Sequence, residues 1–175
     1  LTVTGVQTCA LPISRLGASD VAHLVVPMIL KGGDIREHVM AVVAAIGPSA
    51  VPQLRDLYDG ADFNGRRAII TSLSALNGKP AVEFMLNKLA EESFEQQQHP
   101  LACLAEAIKA MKPAQQTPIF PLVQKLLRGK PDPSSPYMHI SGLILLGWFR
   151  GRSLAARARK ILRHYAHPKH LPEIR

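Results

Sequence analysis

The sequence predicts an all-α fold, an α-α superhelix of about four helix pairs followed by a terminal helix. Apolar residues recur at helical spacing along nearly the whole chain, as where Val51, Leu54 and Tyr58 follow i, i+3, i+7. No segment shows the alternation of apolar and polar residues that a half-buried strand needs. Four times, a proline-bearing amphipathic run precedes a second run that ends in a small or turn-forming residue, which is typical of repeat architectures.

The first fourteen residues, LTVTGVQTCALPIS, carry no charge and do not continue the helical pattern. The stretch from Val3 to Ile13 matches the conceptual translation of a common sequencing-library adapter. A signal peptide would place a basic segment before its apolar stretch, and this segment has none. We therefore interpret residues 1–14 as an adapter-derived, unstructured artefact, residues 15–168 as one repeat domain and residues 169–175 as a basic tail. The chain is then expected to be a fragment of a longer protein.

The periodicity and its interruptions predict where the helices begin. Nine helices are expected, at residues 19–31, 34–46, 49–59, 64–77, 80–92, 99–111, 115–128, 136–149 and 152–165. Short polar side chains cap helix N-termini by accepting backbone hydrogen bonds. We expect Ser19 and Asp20 to cap the first helix, Asp34 the second and Ser49 the third.

Turn-forming residues predict where every second helix ends. These are Gly47-Pro48, Asn77-Gly78 and Lys112-Pro113. Glycine and asparagine tolerate the left-handed cap conformation, and proline cannot continue a helix. Gly32-Gly33 is expected to be a tight turn between helices. The longer connections SFEQQQHP and RGKPDPSSPY are expected to be loops.

The second runs carry a recognisable pattern. DIREHVMAVVAAIG has Asp34 at the turn, Arg36 shortly after it and Ile46-Gly47 at its end, and FNGRRAIITSLSALNG aligns Arg66 with Arg36. These units resemble HEAT repeats, particularly the short bacterial kind. Prolines in three of the first helices fit the same pattern; they are Pro27, Pro52 and Pro121.

The resemblance spans residues 19–165 and implies stacked helix pairs whose second helices line a concave, macromolecule-binding surface. Arg36 and Arg66 are expected to tie adjacent repeats together and not to contact a ligand. In the third and fourth units Leu101 and Pro136 replace the arginine, so the polar contact within the repeat is not expected there.

The C-terminal segment is strongly basic. Residues 150–175 hold eight Lys or Arg against the single acid Glu173. Within RSLAARARKILRHY, one apolar stripe is expected, formed by Leu154, Ala158, Ile161, Leu162 and Tyr165. Arg152, Arg159 and Arg163 follow the opposite side, with Arg157 and Lys160 flanking them. This strip suits phosphates or an acidic protein, or it is simply a solvated helix face.

Trp148-Phe149 precedes this strip, next to Arg150. Large aromatic residues here either fill the core or, if exposed beside arginines, form a binding hot spot. The partner-binding residues that the sequence predicts are therefore Trp148, Arg150, Arg152, Arg157, Arg159, Lys160 and Arg163.

Other reactive residue types offer little chemistry. Cys103 lies in the apolar run LACLAEAIKAM and is expected to be a buried, inert thiol, with His99 a poor partner across Pro100. His164, His167 and His170 are spaced by three, but Pro168 interrupts the helix before the last. The carboxylates are scattered on polar faces. We predict no catalytic residue, metal or cofactor.

The sequence therefore predicts a non-catalytic HEAT-repeat scaffold that binds a macromolecule, above all a protein, through its concave face. Three alternatives stay open: a nucleic-acid-binding module, a module resembling alkylpurine DNA glycosylases, and a subunit resembling bilin lyases. Only one Trp is available for a glycosylase pocket, and no acid adjoins it. The longest apolar stretch, ISGLILLGWF, is too short for the ~20 residues of a membrane span. A cytoplasmic location is expected by default.

Overall fold

The computed structural model describes residues 18–91, 94–127 and 137–166, and within these ranges it contains helices and turns but no strand. The predicted all-α class is confirmed. The α-helices are α1 Ala18–Val25, α2 Ile35–Ile46, α3 Val51–Tyr58, α4 Phe63–Ala75, α5 Lys79–Glu91, α6 Phe94–Ala110, α7 Pro113–Gln116, α8 Phe120–Lys125, α9 Tyr137–Leu146 and α10 Arg152–Tyr165. Two 3-10 helices, Val26–Lys31 and Gly47–Ala50, precede α2 and α3. Residues 1–14, the tail 169–175 and most of RGKPDPSSPY lie outside the described ranges.

Two predicted boundaries are wrong. Helix α6 begins at Phe94, so part of the predicted loop SFEQQQHP is helical and Pro100 lies inside the helix. Proline removes only one internal hydrogen bond, and the glutamine-rich run before it has high helix propensity. The predicted helix 115–128 is instead the two short helices α7 and α8, separated by a turn that contains Pro118.

The predicted N-terminal caps are mostly wrong as well. Asp34 occupies the N-cap position of α2 but makes no side-chain cap hydrogen bond. Ser49 lies inside a 3-10 helix, ahead of α3. The cap that forms is at α4, where Asp62 Oδ1 accepts a 2.7 Å hydrogen bond from the Gly65 N–H. The side chains of Ser19 and Asp20 lie outside the described part of the chain.

The three predicted helix ends are confirmed, since α6 ends at Ala110, just before Lys112-Pro113, and the other two ends have the expected backbone conformation. Gly47 has φ +76° at the C-cap of α2, and Asn77 has φ +47° just after α4. Both residue types tolerate the left-handed conformation that terminates helices. Gly32 and Gly33 also have positive φ and form the predicted turn before α2.

The chain divides into two compact units, the N-terminal unit Leu1–Phe84 and the C-terminal unit Met85–Arg175. In the N-terminal unit, α1 and the 3-10 helix after it pack against α2, α3 packs against α4, and α2 packs against α4. Apolar side chains fill the spaces between these elements, among them Ile29, Val43, Leu54, Ile69 and Leu73, all fully buried. Consecutive elements thus form pairs, and the second helices of successive pairs lie side by side.

Arginines close both helix pairs of the N-terminal unit. Arg36 Nε donates to the carbonyl of Ile29 at 3.1 Å. Arg66 Nε donates to the carbonyl of Ala61 at 3.1 Å, and its Nη2 donates to the carbonyl of Asp59 at 3.3 Å. Each arginine therefore ties the start of a second helix to the end of the element before it. The contact lies within one pair, so the expectation that these arginines join adjacent pairs is wrong.

In the C-terminal unit, α9 packs against α6, α8 and α10. Phe120 and Phe149 are buried, and their rings meet edge to face with centroids 5.0 Å apart. Leu104, Ile108 and Leu145 are fully buried among these helices. As in the other unit, two second helices, α6 and α9, are in contact.

Candidate partner-binding surface

Helix α10 has the two faces that its sequence predicts. Leu154 and Ala158 are buried, whereas Ile161, Leu162 and Tyr165 are half-buried. The Tyr165 hydroxyl donates to the carbonyl of Leu127 at 2.8 Å and so ties the last turn of α10 to the end of α8. The predicted apolar stripe is confirmed as the face with which α10 packs.

The basic residues of α10 are all exposed, but they form two groups. Arg157 and Lys160 line a cleft between α8 and α10. Arg152, Arg159 and Arg163 do not line it, and we call these three the outer strip. The only intramolecular bond of the outer strip within the described residues is local, from Arg159 Nε to the carbonyl of Ala155 at 3.3 Å.

The positive charge of this helix is not neutralised nearby. Within the described residues, none of its five Lys and Arg residues forms an ion pair, and the ion pairs found there lie on α5 and α6. The sequence explains this, since Asp132 and Glu173 are the only acids after Glu106. Unpaired surface cations attract anions over roughly the Debye length, ~8 Å at physiological salt.

Trp148 and Phe149 have different environments. Phe149 is buried, as expected of a core residue, whereas Trp148 is 37% exposed. Lys109 Nζ, from the end of α6, lies 5.4 Å from the centroid of the Trp148 ring. Arg150 is exposed beside them. The alternative of an exposed tryptophan beside cations is the one that the structure favours.

Trp148 ends an exposed apolar stripe that sequence reasoning missed. Tyr137, Ile140 and Ile144 lie on one face of α9 at i, i+3, i+7, and Trp148 follows in the turn after the helix ends at Leu146. Their exposed fractions are 38% for Tyr137, 48% for Ile140, 46% for Ile144 and 37% for Trp148. We call these four residues the α9 stripe. Contiguous exposed apolar side chains of this size commonly mark interaction sites.

A buried glutamine fixes the end of the stripe. Gln116 is fully buried, and its Nε2 donates to the carbonyl of Ile108 at 2.7 Å and to that of Trp148 at 3.4 Å. Its Oε1 accepts a 2.7 Å hydrogen bond from the backbone N–H of Arg150. One side chain therefore joins the end of α6, helix α7 and the segment after α9. The backbone that carries Trp148 and Arg150 is therefore fixed by two hydrogen bonds to the same side chain, one through the Trp148 carbonyl and one through the Arg150 N–H.

The cleft between α8 and α10, which we call the α8–α10 cleft, has a volume of about 510 Å³. It is lined by Gln124, Leu127, Arg157, Lys160, Ile161, His164 and Tyr165. Volumes of ~300–1,000 Å³ are usual for pockets that hold small ligands or side chains. Among the described residues, its lining combines cations with apolar side chains and contains no carboxylate.

The remaining candidates supply no further site. Cys103 is buried as expected, but α6 is continuous through Pro100, so Cys103 Sγ lies 3.6 Å from His99 Nε2 and the expected separation is wrong. The ring of His164 packs edge-on against Tyr165, while His167 and His170 lie outside the described residues. Across the described ranges, no group of three potential metal ligands comes together, and no helix is long and apolar enough to cross a bilayer.

Comparisons with family models, with curated proteins and with solved structures give no match to this chain. The surfaces must therefore be interpreted from their own chemistry.

The α9 stripe was missed because ISGLILLGWF is apolar on every side of its helix. Periodicity finds an apolar face only by contrast with a polar one. The i, i+3, i+7 spacing of Tyr137, Ile140 and Ile144 was visible, but nothing in it distinguishes an exposed face from a buried one. Gln116 carried no signal either, since buried glutamines are uncommon.

Proposed function

We propose that this chain is a non-catalytic, HEAT-like helical scaffold that binds a protein partner through the exposed face of its second helices. The observation that carries the proposal is the α9 stripe, three large apolar side chains exposed along one helix face with Trp148 in the turn after it. Tyr and Trp are the residue types that contribute most at protein interfaces. A nucleic-acid backbone, by contrast, offers no apolar surface for Ile140 and Ile144.

The helix arrangement supports the scaffold part of the proposal. In each unit, taken separately, second helices pack side by side: α2 with α4, and α6 with α9. This is the neighbour contact by which the pairs of an α-solenoid stack, leaving one side of the second helices free for ligands. The two pairs of the N-terminal unit also share the same arginine contact at the same place.

The partner's chemistry follows from what surrounds the stripe. Lys109 lies over the Trp148 ring, and Arg150 is exposed next to it. An amphipathic segment that buries apolar residues on Ile140 and Ile144 would thus place its flanking groups near Arg150 and near Lys109. Of these two cations, Lys109 already pairs with Glu106 at 3.3 Å. We expect the partner to present an apolar helix face with acidic residues at one end.

The test is affinity capture followed by reconstitution from purified components. The double variant Ile140→Asp, Ile144→Asp introduces charge into the middle of the stripe. Ala44→Asp, at an exposed position of α2, is the matched control because it adds the same side chain to a second helix. We expect calorimetry with the purified partner to show at least a hundredfold loss for the double variant, about 3 kcal/mol, and less than a twofold change for Ala44→Asp.

The proposal fails if the stripe variant binds the partner as tightly as the unchanged protein. It also fails if both variants weaken binding equally, because the effect would then come from added charge or reduced stability. Circular dichroism at the binding temperature shows whether each variant is folded.

A second candidate function, binding of duplex nucleic acid, is favoured by the outer strip. Arg152, Arg159 and Arg163 are exposed on one helix and lack carboxylate partners among the described residues. Phosphate contacts would make the affinity fall steeply with salt, by about 0.9 in log K per log salt for each phosphate neutralised. Each Arg→Gln change in the strip should then reduce that slope by about one phosphate contact. Absence of affinity for duplex DNA would exclude this function, and an affinity that does not depend on the strip would exclude the strip as its site.

A further inference from the structure

The α8–α10 cleft is independent of the α9 stripe and has its own chemistry. Its lining residues from α10 share one helix face, with Arg157, Lys160 and His164 at i, i+3, i+7. Ile161, which follows Lys160, and Tyr165, which follows His164, belong to the same face. Leu127, at the end of α8, lines the other side of the cleft. The cleft therefore has two cations, Arg157 and Lys160, along one edge and an apolar floor.

Both ends of the cleft are fixed in place. The guanidinium of Arg157 lies 4.6 Å from the centroid of the Phe120 ring, and Phe120 is itself fully buried against Phe149. At the other end, the hydrogen bond from the Tyr165 hydroxyl to the Leu127 carbonyl joins the two walls at 2.8 Å. A site whose walls are already positioned loses less conformational entropy when a ligand binds.

The charges in and around the cleft select an anion. Among the described residues, the lining contains the cations Arg157 and Lys160, with His164 beside them, and no acid. No ion pair within the described residues involves Arg157 or Lys160, so neither cation is neutralised by a carboxylate there. An uncharged apolar ligand would leave Arg157 and Lys160 without an anionic partner. A ligand with charged groups only would leave the apolar floor exposed to water.

We propose that the α8–α10 cleft binds an acidic peptide segment that places one apolar side chain on the floor formed by Leu127, Ile161 and Tyr165. The segment's carboxylates lie along Arg157 and Lys160. Because the ligand is part of a protein, the proposal rests on the protein-binding function, but it uses a surface separate from the α9 stripe.

A peptide is favoured over nucleic acid by the floor. A sugar-phosphate backbone would satisfy the cations but would gain nothing from Ile161 and Leu127. An apolar side chain removed from water gains ~25 cal/mol per Å² of buried surface. The outer strip lies on the same helix but lacks such a floor, so phosphates would bind there as well as carboxylates would.

The probe is a fluorescein-labelled peptide, Glu-Glu-Leu-Glu-Phe-Glu-Glu, titrated with the full chain and followed by anisotropy. Two matched peptides carry Gln for every Glu, or Ser for the Leu and the Phe. We expect both changes to weaken binding at least tenfold, since one removes the charge and the other the apolar contact.

The protein variants form a matched pair. Lys160→Glu and Arg159→Glu are adjacent in sequence and make the same charge change, but only Lys160 lines the cleft. We expect about a tenfold loss for Lys160→Glu and less than a twofold loss for Arg159→Glu. Ile161→Ala should lose affinity for the probe peptide while leaving the affinity of the Ser-substituted peptide unchanged.

Three results would overturn the proposal. They are absence of binding, equal losses in Lys160→Glu and Arg159→Glu, and equal binding of the Ser-substituted peptide. Random duplex DNA is also tested as a competitor of the probe peptide. If it displaces the peptide from the unchanged protein and this competition is lost in both Lys160→Glu and Arg159→Glu, the helix binds nucleic acid instead. The stripe variant Ile140→Asp, Ile144→Asp should bind the probe normally, so failure here and failure of the proposed scaffold function are separate outcomes.

Discussion

In the N-terminal unit, each helix pair is closed by an arginine, whereas in the C-terminal unit two uncharged side chains connect segments that are distant in sequence. Arg36 and Arg66 donate hydrogen bonds to backbone carbonyls at the end of the preceding element. In the C-terminal unit, Gln116 and Tyr165 make the bonds that connect separate segments. One cation of this unit, Arg157, also contacts another helix, with its guanidinium 4.6 Å from the centroid of the Phe120 ring.

The distribution of charge follows the same division. Lys and Arg balance Asp and Glu in residues 1–84, so the formal net charge of +8 lies entirely in residues 85–175. Buried apolar area and hydrogen bonds do not require this excess, and net charge acts on association more than on fold. In the N-terminal unit Arg36 and Arg66 serve the helix contacts, whereas the excess positive charge of the C-terminal unit is available for the binding proposed above.

The largest effect is expected from Gln116→Leu. This change removes three hydrogen bonds and leaves the Ile108 carbonyl, the Trp148 carbonyl and the Arg150 N–H without their side-chain partner. At about 1 kcal/mol for each buried group, the free energy of unfolding should fall by about 3 kcal/mol in urea titration.

The matched control is Gln98→Leu, at an exposed position of α6, which should change the unfolding free energy by less than about 0.5 kcal/mol. A loss below about 1 kcal/mol for Gln116→Leu would mean that apolar packing alone holds these segments. The proposed contrast between the two units would then be wrong.

The next largest loss in the free energy of unfolding is expected from Arg66→Met. Met keeps the apolar stem of the side chain but cannot donate. Arg66 makes two hydrogen bonds and lies 5.5 Å over the Tyr58 ring, whereas Arg36 makes one bond. We expect losses of about 2 kcal/mol for Arg66→Met and about 1 kcal/mol for Arg36→Met.

Arg152→Met in the outer strip is the control for losing a positive charge, and its unfolding free energy should be unchanged within about 0.5 kcal/mol. Equal losses at Arg66 and Arg152 would show that charge, and not the closing contact, determines the stability of the N-terminal unit.

The sequence predicts the helices of this protein well because helix periodicity and helix-ending residues are local signals. Nearly every helix boundary lies within a few residues of its predicted position, and Asn77 and Gly47 adopt the expected backbone conformations. Helix starts were harder, because Asp34 and Asp62 both precede helices and only the backbone geometry decides which side chain reaches an N–H.

The site was only half predictable, for a related reason. The amphipathic contrast of α10 revealed which of its residues face solvent, so the exposure of Arg152, Arg159 and Arg163 followed from the sequence. The α9 stripe had no such contrast. The division of the basic residues between the α8–α10 cleft and the outer strip depends on where α8 packs, and no local pattern contains that information.

Helix α9 packs closely against the end of α8 at Gly142, and Gly142→Ala tests this packing. A Cβ at Gly142 would lie 2.9 Å from Leu127 Cδ2 and 3.3 Å from Leu126 Cβ, and Leu127 is buried. Overpacking costs about 1–3 kcal/mol, of which better helix propensity offsets about 1. We expect a net loss of about 1 kcal/mol in the unfolding free energy.

Gly60→Ala is the control, since a Cβ at Gly60 meets no atom within 4 Å and φ there is not positive. It should be neutral or slightly stabilising. If Gly142→Ala stabilised the protein as well, the packing of α9 on α8 would be loose enough to move, and the walls of the α8–α10 cleft would not be fixed.

The smallest effect separates the two aspartates that precede second helices in the N-terminal unit. Asp62→Ala removes the side-chain acceptor of the Gly65 N–H and should cost about 0.5–1 kcal/mol. Asp34→Ala removes no cap hydrogen bond, and only its favourable charge at the start of α2 is lost, about 0.3 kcal/mol at low salt. Salt distinguishes them further, because screening abolishes the Asp34 effect and leaves the Asp62 hydrogen bond in place. Equal, salt-sensitive losses at both positions would show that α4 starts without a true cap, and that Arg66 alone fixes its first turn.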